Sequence, residues 1–234
     1  MPNDEPSNSN AAKVVLAIDL GGSHVKVHLS SGGEKRSVVS GPGMTPAKMV
    51  AAVAEMTRDW AYDAIGMGYP GPIAGNKPVA EPHNLAAGWK GFDFADALGR
   101  PTRLVNDALM QAIGSYEGGH MLFLGLGTGL GSAVMTHNVA VPLELGHLPY
   151  KKKQTFEDYV GLNGLERRGK SRWRASVADV AAIFQAAFEP DYIVIGGGNV
   201  EKIKDLPGNC RRGNNENAFL GGFRLWLDDQ LLVK

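Results

Sequence analysis

Two stretches of the chain share one design, in which an apolar β-like run passes through a glycine turn directly into a second β-like run. Lys13 to Leu20 turns through Gly21 and Gly22 into Val25 to Ser30. His120 to Leu126 turns through Gly127 and Gly129 into an apolar run ending at Thr136. In both, β-branched or small residues resume at once, so each unit reads as a hairpin. That excludes a P-loop and a dinucleotide fold, whose glycine turns must open a helix. Between the hairpins a Val-Asn-Asp triplet ends at Asp107. Glycine lets backbone N–H groups approach an anion closely, so the pair of turns suggests a phosphate gripped from two sides with a carboxylate between the grips. The pattern is that of a phosphotransferase.

The order of elements supports two related lobes. After the first hairpin come a strand near Lys35 to Val39, a helix capped by Thr45, and a strand over 62–70. A Pro, Gly and Asn-rich loop then runs from Pro70 to Trp89, and a short helix is closed by Gly99. A strand over 102–106 feeds a helix from Asp107 to about Gly118. The second half repeats the outline with its own hairpin, an amphipathic helix from Arg174 to Phe188, a buried strand over 191–199 and a final helix over 218–232 that Gly221 and Gly222 interrupt. The expected division is a disordered leader over 1–12, an N-terminal lobe over 13–106 and a C-terminal lobe over 107–234, with the last helix a candidate to pack back on the first lobe. A homodimer through the helix 174–188 or the Trp-bearing C-terminus competes with plain core packing of the same residues.

Charge and cysteine content narrow the partners. The 24 Lys and Arg balance 24 Asp and Glu, so the molecule as a whole does not call for nucleic acid. No run of ~18 apolar residues suggests a membrane span. The lone Cys210 excludes an intrachain disulfide and a cysteine-built zinc site, and cytoplasm is the expected compartment. Positive charge nevertheless gathers in the C-terminal half, at Lys151 to Lys153, Arg167, Arg168, Lys170, Arg172, Arg174, Arg211 and Arg212. Those residues form either a solvated surface or a track for a polyanion.

Asp19 ends the first strand facing its glycine turn, where a carboxylate can hold Mg²⁺ directly or through water. Ser23 offers a hydroxyl to phosphate, with Lys26 near it; the plain alternative is a type I′ or II′ hairpin in which Gly21 and Gly22 serve only the turn. Gly127, Thr128 and Gly129 form the second grip. Asp107 is either a helix cap or the general base that phosphoryl transfer to an alcohol requires, and Asn106 can take the capping role. Glu144, His147 and Glu157 supply acceptors of the kind a polyhydroxy substrate needs, or are loop and first-turn residues. Gly196, Gly197 and Gly198 end a strand and either receive an adenosine against bare backbone or make a tight connection.

These motifs together resemble the ROK family of sugar kinases, of the α/β, two-lobed actin-like ATPase (ribonuclease H-like) fold with a cleft between lobes. DLGGSHVK and GLGTGLGS resemble that family's two phosphate motifs and IGGGN its adenosine motif. The resemblance implies Asp107 as general base, Asn106, Glu144, His147 and Glu157 as sugar ligands, and Mg²⁺ as cofactor. The family's cysteine-rich zinc motif is replaced here by PYKKKQTF. With FEDYVG and RRGKSRWR, this variant is similar to the polyphosphate glucokinase branch. The implied activity is phosphorylation of glucose at its 6-hydroxyl, with polyphosphate, ATP or both as donor. The alternatives are a kinase for another hexose, such as mannose or an N-acetylated amino sugar, or a non-catalytic sugar-binding regulator.

Overall fold

The computed structural model describes residues 13–234; the leader expected over 1–12 lies outside the described residues. The first hairpin is β1 (Val15–Leu20) with β2 (His24–Leu29), antiparallel, with Asp19 directly opposite Lys26. β3 (Arg36–Val39) continues the meander. α1 (Pro46–Met56) starts where Thr45 accepts the Lys48 N–H and Pro46 fills the first turn, where its missing donor costs nothing. The chain then enters β4 (Ala64–Tyr69), a two-residue ribbon of β5 (Ile73–Ala74) and β6 (Lys77–Pro78), α2 (Phe94–Leu98) and β7 (Thr102–Asn106). β1, β4 and β7 run parallel, giving a sheet of order β3-β2-β1-β4-β7.

α3 (Asp107–Ser115) leads to the second sheet. β8 (His120–Leu126), β9 (Leu130–Thr136) and β10 (Val139–Leu143) form a meander, followed by α4 (Glu157–Val160) and α5 (Leu162–Phe188). β11 (Tyr192–Gly196) and β12 (Cys210–Arg212) add in parallel beside β8. α6 (Asn217–Leu227) and β13 (Leu232–Val233) complete the chain, giving the order β12-β11-β8-β9-β10-β13. The run β10-β9-β8-β11-β12 repeats the pattern β3-β2-β1-β4-β7, an antiparallel meander extended by two parallel strands. This is the duplication that the paired hairpins imply.

Three apolar layers hold these parts. Leu16, Ile18, Ile65 and Met67 of the first sheet pack under Met49 and Val53 of α1, with Trp89 and Phe94 closing one end. On the far side of the second sheet, Leu122, Leu124, Ile193 and Ile195 meet Trp173, Val177 and Phe184 of α5. Between the two sheets lies a third layer of Leu109, Met110 and Ile113 from α3, Met121 and Phe123 from β8, and Ala218 and Leu225 from α6. The α5 face and the C-terminal Trp226, whose indole N–H reaches the Ile65 carbonyl at 2.7 Å, are thus used within the chain.

Two helices differ from expectation. The helix expected to begin at Arg174 begins at Leu162 and is broken at Gly169 (φ 74, ψ 160), so two helices meet at a kink within the basic stretch. The last helix runs through Gly221 and Gly222 without interruption and stops at Leu227, short of residue 232. The two glycines are there for contact. A Cβ on Gly221 would sit 1.8 Å from the Met110 carbonyl oxygen of α3, and one on Gly66 of β4 would sit 2.0 Å from the Gly222 carbonyl oxygen. α6 therefore touches both α3 and the first sheet backbone to backbone, and its glycine cost of ~1 kcal/mol relative to alanine is offset by that approach.

Candidate active site

β7 and α3 meet at Asn106–Asp107, and the junction fixes both side chains. Asn106 caps α3: its Oδ1 accepts the N–H groups of Ala108 (2.9 Å) and Leu109 (3.2 Å), while its Nδ2 donates to the Gly71 carbonyl at 3.3 Å. Asp107 is thereby free of the capping task. Its Oδ1 accepts the Ala108 N–H at 2.8 Å, which leaves Oδ2 available. The bare Cα of Gly68 on β4 lets the junction sit close, since a Cβ there would lie 3.3 Å from the Asp107 Cα.

A cleft of about 820 Å³ opens over this junction. Asn106 and Asp107 form its floor, Gly22 of the first turn stands on one side, and Gly127, Thr128 and Gly129 of the second stand on the other. Glu144, His147 and Glu157 line the wall beyond β9, and Gly197 and Gly198 close the end beyond β11. The second turn is held by its carbonyls and flanks. Asn199 Nδ2 donates to the Gly127 carbonyl at 3.0 Å, the Leu162 N–H reaches the Thr128 carbonyl at 3.0 Å, and the Leu130 N–H reaches Glu157 Oε2 at 3.1 Å. Among the described residues nothing takes up the N–H groups of Thr128 and Gly129. Free amides on a fixed glycine loop are the arrangement that receives phosphoryl oxygens. Gly129 is also required by Glu157, whose Oε2 would lie 2.0 Å from a Cβ there.

The first turn is tied in the same manner. The Gly21 N–H closes on the His24 carbonyl at 2.9 Å, and Ser40 binds back to the Gly21 and Ser23 carbonyls. Gly21, Ser23 and Lys26 do not line the cleft, nor does Asp19, which lies behind the turn with Lys26 Nζ 3.7 Å from its Oδ2. Burial raises the Asp19 carboxyl above the usual range even against the opposing pull of Lys26. Gly196 is likewise set back inside β11, where a Cβ would meet the Phe123 ring at 2.8 Å. Packing accounts for Gly196, and of the expected adenosine motif only Gly197 and Gly198 face the cleft.

The electrostatics centre on Asp107. Desolvation, then the neighbouring Asp19 carboxylate and more weakly Glu144, push its carboxyl from 3.8 up to about 7. A carboxyl poised near neutrality with one free oxygen facing a cleft is equipped to accept a proton from an alcohol. Glu144 and His147 lie one 3-10 turn apart with Oε2 to Nδ1 at 3.5 Å, both exposed to the cleft.

The structure adds residues that the sequence left inside an unassigned loop. His83 and Asn84 line the cleft opposite the second glycine turn, and a Cβ on Gly22 would lie 3.1 Å from that of Asn84. The loop is fixed by Glu81, which accepts the Trp89 and Lys90 N–H groups at 3.0 and 3.3 Å, and by Tyr69, whose hydroxyl donates to the Ala80 carbonyl at 2.9 Å. Gln111, one turn past Asp107 on α3, also reaches the cleft. Polar residues scattered among prolines have no periodicity to mark which of them faces inward. The one signal in the sequence was the adjacent polar pair His83-Asn84, and Asn76, Lys77 and Glu81 in the same loop kept it from standing out.

Comparison with known proteins places this geometry. The curated relatives include polyphosphate glucokinases of Mycobacterium tuberculosis, 27% identical over 205 residues covering 78% of this chain and 77% of that one, and of Mycobacterium leprae, 26% identical over 84% of this chain and 67% of that one. Among solved structures, the inorganic polyphosphate/ATP-glucomannokinase of Arthrobacter sp. strain KM superposes with a TM-score of 0.76 at 24% identity, covering 89% of this chain and 96% of that one. A ROK family glucokinase of Streptomyces griseus, in complex with glucose and AMPPNP, gives 0.71 at 16% identity over 91% and 98%. The fold is the two-lobed actin-like ATPase fold. The ROK family model matches residues 15–155, more than half of the chain, and the chain belongs to the ROK family.

Proposed function

We propose that this chain is a sugar kinase of the polyphosphate glucokinase branch, transferring a phosphoryl group to the 6-hydroxyl of glucose from polyphosphate, ATP or both. The observation that carries the reading is Asp107, a carboxyl raised to about 7 with one free oxygen, on the floor of a cleft between two glycine turns. The curated relatives named polyphosphate glucokinase support the acceptor and the donor. Residues 13–106 and 107–234 are taken as the two lobes.

In this reading Asn106, Glu144, His147 and the free Oε1 of Glu157 bind sugar hydroxyls, and the sugar's 6-hydroxyl faces Asp107 Oδ2. The oxygen attacks the donor's terminal phosphorus, its bond to phosphorus forms as the bridging P–O bond breaks, and the hydroxyl proton passes to Oδ2. The free N–H groups of Thr128 and Gly129, with the Thr128 hydroxyl, hold the transferred phosphate. Gly22 approaches from the other side, with Ser23 set behind it outside the cleft lining, and Gly197 and Gly198 receive the nucleoside when ATP is the donor. Asp107 feels the charge of Asp19 and, more weakly, of Glu144, and a carboxylate near the transferred phosphate is a hard oxygen donor of the kind a divalent ion takes. The described residues hold no cluster of three ligands that would cage a metal by itself. Mg²⁺, which favours one or two carboxylates plus waters and substrate phosphates, suits that arrangement, with Asp19 as its protein ligand. Its chemistry there would be neutralisation of phosphate charge. Among the described residues no helix is long and apolar enough to cross a membrane, and with the lone Cys210 this supports a cytoplasmic enzyme.

The solved neighbour named a glucomannokinase favours mannose as a second acceptor. A panel of glucose, mannose and N-acetylated amino sugars, each with Mg²⁺ and either nucleotide-free polyphosphate or ATP, tests the assignment, with ³¹P NMR locating the phosphate. Glucose 6-phosphate as the main product supports it. Transfer only to an amino sugar replaces it with another ROK kinase, and sugar binding without transfer replaces it with a regulator.

A further inference from the structure

Among the described residues that line the cleft there is no lysine or arginine. Donor phosphates that enter it meet backbone N–H groups and neutral side chains, so each neutral N–H donor at the right place matters. The strip between α3 and the second sheet is lined by Ala108, Gly125, Gly131, Gly197 and Gly198, and Gln111 is the polar side chain that enters it.

The fold places Gln111 there for identifiable reasons. Asp107 and Gln111 are four positions apart on α3, so they share one face of the helix a single turn, ~5.4 Å, apart. β9, β8 and β11 carry glycine in one cross-strand row, with Gly131 opposite Gly125 and Gly125 beside Gly196. A Cβ on Gly131 would lie 2.6 Å from that of Ala108, so the bare row lets the first turn of α3 rest on the sheet. One turn on, the Gln111 side chain reaches the end of β11, where its Oε1 would lie 3.5 Å from a Cβ on Gly196. Gly197 and Gly198 follow directly.

Gln111 is half-buried, and its backbone carbonyl takes the Ser115 hydroxyl at 2.7 Å. Its carboxamide makes no hydrogen bond among the described residues. Such a group has given up part of its water without gaining a protein partner, and a ligand can supply what is missing. Asn106 and Asn199 differ in this respect, since both spend their carboxamides on holding the cleft's own backbone.

We propose that the Gln111 carboxamide binds the donor's leaving phosphate, the group joined through the bridging oxygen to the phosphoryl that is transferred. The inference rests on the kinase reading and adds a donor-side residue to it. With the terminal phosphate at Thr128 and Gly129 and the rest of the donor running towards Gly197 and Gly198, the next phosphate passes along α3 beside Gln111. As the bridging P–O bond breaks, its electron pair stays on the leaving phosphate, and an N–H of Nε2 meets the charge that builds there. Polyphosphate and ATP present the same group at this point, so the contact serves both. A neutral amide does this without setting a cation beside Asp107, whose raised carboxyl a lysine at this position would pull down.

Two variants test the contact. Gln111→Met keeps the length and helix propensity of the side chain and removes its N–H groups, whereas Gln111→Glu keeps the shape and sets a negative charge against the phosphate. Steady-state kinetics with polyphosphate and with ATP are read beside the glucose KM, and isothermal titration measures tripolyphosphate binding without sugar. The methionine variant is expected to lose ~10-fold in kcat/KM for both donors and to bind tripolyphosphate more weakly, with the glucose KM within about twofold and Tm unchanged. The glutamate variant should lose ~100-fold or more for both donors. Unchanged donor kinetics in both variants, or a glucose KM that rises as much as the donor KM, would overturn the contact. So would a loss with ATP alone, which would set Gln111 against the nucleoside. If the wild type transfers phosphate and both variants match it, the Gln111 contact fails and the kinase reading stands. If Gln111→Met weakens tripolyphosphate binding while no donor supports transfer in the wild type, the kinase reading fails and the phosphate contact stands. A wild type that binds no phosphate donor would overturn both.

Discussion

Replacing Asp107 by Asn should weaken catalysis and strengthen the fold, and the two effects share one cause. In the folded protein the carboxyl is held up at about 7, against 3.8 as its ordinary value, because burial and the Asp19 carboxylate disfavour its ionised form. Below pH ~4 both folded and unfolded chains carry the proton, and the group contributes nothing to the pH dependence. Between pH ~4 and ~7 the unfolded chain releases a proton that the folded chain retains, so the wild type loses stability as pH rises. Above ~7 the penalty is complete. Three pH units correspond to about 4 kcal/mol as an upper bound, and the lost charge-assisted bond from the Ala108 N–H reduces the net gain in the variant to roughly 1–4 kcal/mol. For a chain of this size each kcal/mol is worth ~2–4 °C in Tm. Melts of both proteins at pH 4.5 and pH 8 read the difference, which should favour the variant at pH 8 and be smaller by roughly 3 kcal/mol at pH 4.5, where about 1 kcal/mol of the penalty is already present. In the same variant kcat should fall by ~10²–10⁴, the span of a general base. A variant no more stable than the wild type at pH 8 would refute the claim of a desolvated carboxylate. Retained turnover would refute its role as base.

Gly221→Ala should cost several kcal/mol, since its Cβ would lie 1.8 Å from the Met110 carbonyl oxygen, and urea melts should show it. A neutral result would mean that α6 can shift away from α3 freely. Glu157→Gln keeps an acceptor for the Leu130 N–H but removes a charge that a sugar hydroxyl would bind, so kcat/KM for the sugar should fall ~10–100-fold while the donor KM changes little. Equal effects on donor and sugar would assign Glu157 to the glycine loop alone.

Both glycine hairpins were legible in the sequence because strand, turn and strand are contiguous, and the period-2 apolar runs fix their faces. The duplication followed from them, and so did the capping of α3 by Asn106, which leaves the Asp107 carboxyl outside that task. Gly221 and Gly222 were read as weak points because helix propensity is local, while their use depends on Met110, Gly114 and Gly66, distant in sequence. Gly169 hid the first part of α5 for the opposite reason: it breaks the periodicity at the point where the basic run begins. His83 and Asn84 were not separable from their loop because their direction is set by Glu81 and Tyr69 through long-range hydrogen bonds. The left-handed backbone at Lys152 and Lys153 was invisible, as nothing in a run of three lysines signals it.

The most direct measurement is the time course of glucose 6-phosphate formation by the purified chain with Mg²⁺, run in parallel with ATP and with polyphosphate freed of nucleotide, beside Asp107→Asn. The account predicts product from the wild type with at least one donor and a loss of ~10²–10⁴ in the variant. Absence of product with both donors, or equal rates in the two proteins, would contradict it.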